Sequence, residues 1–116
     1  MKKIYFLGTC STCNRIIKDL AGLEGFDFQD IKKTPITARQ IDEMKKMSGT
    51  YESLFSRRAM KYKSMGLKNV KLTEKDYRKL ILEEYTFLKR PVIIFHDQIF
   101  VGNAKSVVEA ARKAIV

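Results

Sequence analysis

Apolar positions recur with two periods along this chain, and the order of those periods predicts its elements. Lys3 to Leu7 is a short apolar run with the β-favouring residues Ile4, Tyr5 and Phe6, bounded by Gly8, which predicts a buried strand. From Cys13 to Ala21 the spacing lengthens: Ile16, Ile17 and Leu20 share one helical face, and Gly22 is a stop signal. Phe26-Asp27-Phe28-Gln29 alternates and predicts a second strand, parallel to the first through a right-handed crossover. Three helical segments follow. Thr37 with Gln40 forms a capping-box start leading into Ile41, Met44 and Met47. A second helix is predicted through Leu54, Phe55, Ala59 and Tyr62, ended by Gly66. Thr73 caps a third, with Tyr77, Leu80, Ile81, Glu84 and Leu88 at helical spacing, where only Glu84 breaks the apolar stripe.

The period shortens again at the end of the chain. Val92 to Phe95 is a buried strand, His96-Asp97-Gln98 a turn, and Ile99 to Val101 its antiparallel partner. Gly102-Asn103 then leads into a last helix with Val107, Val108, Ala111 and Ile115 on one face. The order is βαβ, a helical insert over about 37–88, then ββα. It predicts one α/β domain over residues 1–116, with the two halves of a small mixed sheet separated by the insert.

Composition narrows the class. The chain has 116 residues, 45% of them hydrophobic, which is enough for one compact core. No apolar run approaches the roughly 18 residues of a membrane-spanning helix. The N-terminal apolar run ends at Leu7, too early for a secretory signal, so a cytoplasmic protein is expected. The net charge is +10, and between Glu52 and Glu74 there is no acid, while Arg57, Arg58, Lys61, Lys63, Lys68 and Lys71 fall inside. No nucleic-acid-binding motif accompanies them, so the bland reading is a solvated basic face without direct nucleic-acid contact.

Cys10 and Cys13 are the only cysteines, and they stand between a strand and a helix. A permanent disulfide is disfavoured in a reducing compartment. A structural zinc site would need four ligands, and only one histidine, His96, accompanies the pair. Phosphatase chemistry fails on spacing: where a phosphate-cradling loop starting at Cys10 needs its arginine stands Ile16, Arg15 coming one residue early, and counting from Cys13 reaches Asp19. Redox chemistry fits the pair, the plain alternative being two buried, inert cysteines. Cys10 lies at a strand tip, where unpaired N–H groups and the positive end of a helix favour thiolate, and Cys13 is one turn on, within reach of a mixed disulfide on Cys10.

Lys89-Arg90-Pro91 stands directly before the strand Val92 to Phe95. The order of elements resembles thioredoxin-like folds, which place a cis-proline there, facing the cysteine pair. Taken together, Gly8-Thr9-Cys10-Ser11-Thr12-Cys13, Asp30-Ile31-Lys32-Lys33-Thr34-Pro35, Arg57-Arg58, Lys89-Arg90-Pro91-Val92-Ile93 and Val101-Gly102 resemble the arsenate reductase (ArsC)/Spx family in sequence and order. The resemblance covers essentially the whole chain.

That resemblance implies a thioredoxin-like (glutaredoxin-like) four-stranded mixed sheet with a helical insert between strands two and three. It implies that Cys10 is the attacking thiol and Cys13 the resolving one, and that arginines hold an oxyanion. Arg90 matches the arginine before the cis-proline, Pro91 itself belongs to the site, and Arg58 best matches the arginine of the insert, with Arg57 as the alternative. Asn103 stands where family reductases carry a third arginine. The substrate would be an oxyanion or a disulfide. No bound metal or organic cofactor is implied; glutathione, thioredoxin or glutaredoxin would supply electrons to a monomer with no membrane contact. The Spx branch of the resemblance implies a different role, a redox-sensing regulator that binds the RNA polymerase alpha subunit.

Overall fold

The fold is a computed structural model that describes residues 1–115. The chain forms two compact units, one of residues 1–34 with Arg90 onward and one of Pro35–Lys89. The first, the sheet unit, contains β1 (Lys2–Phe6), α1 (Ser11–Asp19), β2 (Asp27–Asp30), β3 (Val92–Phe95), β4 (Gln98–Val101) and α5 (Lys105–Ile115). The helical unit holds α2 (Ala38–Ser48), α3 (Met60–Ser64) and α4 (Glu74–Glu83), with short 3-10 turns between and after them.

In the sheet unit the strand order is β2-β1-β3-β4. β1 runs parallel to β2 and antiparallel to β3, so the sheet is mixed, as the sequence predicts, in the thioredoxin-like arrangement. The two central strands are the most apolar, because both of their faces are covered. Ile4 and Ile93 pair across β1 and β3 and pack with Ile16 of α1, with Leu20 and Phe26 from the segment between α1 and β2, and with Ala111 of α5. Their neighbours Tyr5, Val92 and Ile94 point to the opposite face and are also buried. Phe26 stacks on Phe95 with ring centroids 6.0 Å apart, closing one end of this core. The first helix begins two residues earlier and ends sooner than its pattern predicts. Leu20 already takes an extended conformation and drops into the core, so Gly22, with φ of 78°, serves the following turn.

In the helical unit both capping boxes form: Thr37 with Gln40, and Thr73 with Asp76, each pair exchanging side-chain-to-backbone hydrogen bonds. Between them the structure corrects the sequence reading. The helix predicted through Leu54, Phe55, Ala59 and Tyr62 is broken into a 3-10 turn at Glu52–Leu54 and the five-residue α3. The third helix stops at Glu83, short of Leu88. Both departures have one cause. Phe55 and Leu88 are extended and form an antiparallel bridge, with Ser56 N–H donating to the Phe87 carbonyl (2.6 Å) and Lys89 N–H to the Leu54 carbonyl (2.8 Å). That bridge seats Phe55 against Phe87 and Tyr77, each 4.9 Å away between centroids. Glu84 therefore interrupts no stripe; it sits in an extended residue beyond the helix and pairs with Lys61 at 3.1 Å. The 3-10 turn is itself capped from outside, since the Glu74 carboxylate accepts from the N–H groups of Tyr51 (2.7 Å) and Glu52 (3.1 Å).

Replacing the wholly buried Phe55 by alanine removes the centre of this aromatic cluster and should cost about 3–5 kcal/mol, against about 1 kcal/mol for Thr37→Ala, which removes only a cap. Urea unfolding of the two variants measures both. Equal losses would show that Phe55 does not hold the helical unit together.

Candidate functional site

Sheet register assembles the site. Tyr5 pairs with Val92, so continuing the antiparallel ladder beyond the strand ends sets Phe6 opposite Pro91 and Leu7 opposite Arg90. The loop that follows Leu7 carries Cys10, whose N–H donates back to the Leu7 carbonyl at 2.9 Å. Two segments distant in sequence thus meet at one end of the sheet. The Arg90–Pro91 peptide is cis, as the thioredoxin-like arrangement implies, and the Pro91 carbonyl accepts from Gly102 N–H at 2.9 Å.

Cys10 is the N-cap of α1, with extended backbone, in the position that serine or aspartate usually fills. It is half-buried, whereas Cys13, one turn into the helix, is fully buried; both are free thiols. Their environments push them apart. Partial burial raises the Cys10 pKa, but the Cys13 amide N–H, the Cys13 thiol and the positive charge and hydrogen bond of Arg90 outweigh it, leaving Cys10 below the ordinary thiol value. Burial dominates at Cys13 and, with the hydrogen bond and charge of Cys10, outweighs the lowering effects of the Leu7 backbone and Arg90; its thiol is pushed up to about 11. Although the Cys10 side chain makes no formal capping hydrogen bond, these groups still favour its anion.

Two neighbours to which the sequence reading assigned no role at the site shape the loop. Asn14 donates its side-chain amide to the Gly8 carbonyl at 2.9 Å, and its own N–H donates to the Cys10 carbonyl at 3.1 Å, tying loop to helix. Asp30, at the end of β2, lies so close that a Cβ on Gly8 would come 2.6 Å from its Oδ2, and its Oδ1 accepts from Lys32 N–H at 3.0 Å. The sequence signal for Asn14 was a short amide one turn beyond Cys10; for Asp30 there was none, because β1–β2 pairing creates the contact.

Of the other expected site residues, Asn103 belongs to the sheet unit and Arg58 to the helical unit. Asn103 is exposed and lines an open groove of about 480 Å³ with Arg15, Asp19, Lys105, Glu109 and Arg112 over Ile16 and Val108. Arg58 belongs to the helical unit and is exposed; Arg57 beside it is engaged by Glu52 at 2.8 Å and by the Tyr77 hydroxyl at 2.9 Å. Among the described residues, no group of three or more histidine, cysteine, aspartate or glutamate side chains could hold a metal ion, and no helix is long and apolar enough to cross a membrane.

Comparison with known proteins places this geometry. A possible arsenate reductase from Streptococcus mutans UA159 is 27% identical, with a TM-score of 0.74 over 96% of this chain and 97% of that one. An arsenate reductase (ArsC) related protein from Brucella melitensis is 24% identical with a TM-score of 0.69, covering 94% of this chain and 92% of its own. Arsenate reductase from Vibrio cholerae shares only 14% identity yet has a TM-score of 0.77 over 99% of this chain and 97% of that one. Among curated proteins none matches the sequence. The ArsC family model matches residues 5–111, which spans the cysteine pair, the helical unit and the cis-proline strand. The chain belongs to the ArsC family.

Proposed function

We propose that this protein is a thiol–disulfide oxidoreductase in which Cys10 attacks and Cys13 resolves. One observation carries the reading: two thiols a single helical turn apart are displaced in opposite directions, the half-buried one toward thiolate and the fully buried one away from it. The Cys10 thiolate attacks one sulfur of a substrate disulfide, forming a mixed disulfide and expelling the other half as thiolate. That step erases the negative charge on Cys10. The hydrogen bond and charge that helped keep Cys13 protonated vanish with it. Cys13 then gives up its proton, attacks the Cys10 sulfur and expels the second half as thiolate, leaving a Cys10–Cys13 disulfide. Two electrons from a thiol donor, glutathione or a thioredoxin or glutaredoxin, restore both thiols. Resolution is thereby held back until the first attack has happened.

A disulfide suits the site better than arsenate. Asn103 occupies the position of a third arginine in reductases of the family, and Arg57 is already committed to Glu52. Each charge-assisted hydrogen bond lost from an oxyanion site removes about 1.5–3 kcal/mol. In an NADPH-coupled assay with glutathione and glutaredoxin, arsenate turnover should fall well below the median enzyme rate of about 10 per second. A rate near that median would show that two arginines suffice and would make arsenate the substrate.

Iodoacetamide labelling followed by mass spectrometry separates the thiols. Only thiolate reacts, so Cys10 labelling should rise and level off at a lower pH than that of a free thiol, while Cys13 stays slow until alkaline pH. Arg90→Ala should move the Cys10 midpoint up toward the free value of about 8.5, because a cation and a hydrogen bond to the anion are lost. Faster labelling of Cys13 would reverse the roles.

Replacing Cys13 by serine provides the decisive functional test. With oxidised glutathione the variant should accumulate a mixed disulfide on Cys10, whereas Cys10→Ser should abolish exchange. A wild-type protein that forms its internal disulfide readily but turns over no disulfide substrate would be a redox sensor, and the enzyme reading would fall.

A further inference from the structure

The helical unit carries a surface that the thiol chemistry does not use. Five large apolar side chains are exposed among the described residues, and three of them, Met60 (87%), Met65 (51%) and Val70 (51%), fall within one short stretch. The same stretch contains Lys61, Lys63, Lys68 and Lys71 and no acid. Lys61 is paired with Glu84, but Lys63, Lys68 and Lys71 are exposed and have no acidic partner among the described residues. We propose that this stretch, α3 and the 3-10 turn after it, is a docking surface for an acidic protein segment that carries apolar side chains.

Charge complementarity selects the occupant. Unpaired lysines attract and orient an acidic chain, and their salt-screened field acts mainly on the encounter. Charge alone does not account for methionines turned to solvent. Methionine is flexible and polarisable, fits irregular or aromatic partners, and is enriched at protein interfaces. A single-stranded nucleic acid would instead need aromatic platforms, and the one aromatic residue here, Tyr62, is half-buried with its ring 6.0 Å from that of Phe55. A membrane surface would need a longer amphipathic helix. α3 has five residues, and the nearby Leu67 is turned into the core rather than outward. The proposal is independent of the cysteine reading, since it uses neither thiol.

Fluorescence anisotropy on the full chain tests it with four probes. These are a labelled peptide of glutamates interspersed with phenylalanine and leucine, the same peptide with serine at the apolar positions, a single-stranded DNA oligonucleotide, and vesicles of phosphatidylserine with phosphatidylcholine. The apolar acidic peptide should bind at least about tenfold more tightly than its serine counterpart, roughly 1.4 kcal/mol, and weaken as salt rises. Met60→Ser with Met65→Ser should erase that difference. Lys63→Glu with Lys68→Glu and Lys71→Glu should abolish binding of both peptides, and both variants should leave Cys10 alkylation unchanged. If the triple variant fails to fold, Lys68→Glu alone on its exposed turn should still weaken both peptides. Equal affinity for the two peptides, tighter binding of DNA or vesicles, or indifference to the substitutions would each overturn the proposal.

Discussion

The antiparallel register of β1 on β3 is the constraint from which the chemistry follows. Tyr5 opposite Val92 is a pairing between residues far apart in sequence, and it decides what stands beyond each strand end. A slip of one residue would turn Ile4 and Ile93 out of the α1–α5 core, so burial holds the register firmly. The same burial that fixes the ladder places Arg90 beside the loop that carries Cys10. An apolar core is thus the reason a guanidinium can act on a thiol.

Within that frame the two cysteines diverge through position alone. Both belong to one helical turn and feel the same arginine. Cys10, at the N-cap, retains access to solvent and to the Cys13 amide N–H. Cys13, already inside the helix, pays for the core position with its ionisation. Asn14 and Asp30 both meet the loop at Gly8, one by an amide on its carbonyl and the other by a carboxylate that a side chain there would have to displace.

How much of this the sequence carried depends on how local each feature is. The strands at Lys3–Leu7 and Val92–Phe95, the capping box at Thr37, the cap at Thr73, and the cysteine pair at a strand-to-helix junction all announce themselves in a few residues. The break at Phe55 does not. Leu54, Phe55, Ala59 and Tyr62 have helical spacing, and only a bridge to Leu88, more than a helix away in sequence, overrides it. Glu84 misled for the same reason: its period fitted α4, but the chain had left the helix to reach that bridge. Asp30 against Gly8 and Glu74 on the Tyr51 and Glu52 amides are likewise products of tertiary pairing. Such contacts have no signature in a window of neighbouring residues.

The interruption of the sheet unit by the helical unit also sets an order of events during synthesis. Every residue of the helical unit emerges before β3, so that unit is complete in sequence while the sheet still consists of β1 and β2. Pairings of such long sequence separation form slowly, because the loop they close must be ordered first. Domains tend to fold as they are made, from the N-terminal side. Until Val92 reaches Tyr5 the nascent chain holds Cys10 with the Cys13 amide and thiol beside it but without Arg90, the remaining group that lowers its pKa. The environment of Cys10 is therefore completed only when the last part of the sheet pairs, after the whole helical unit has been made.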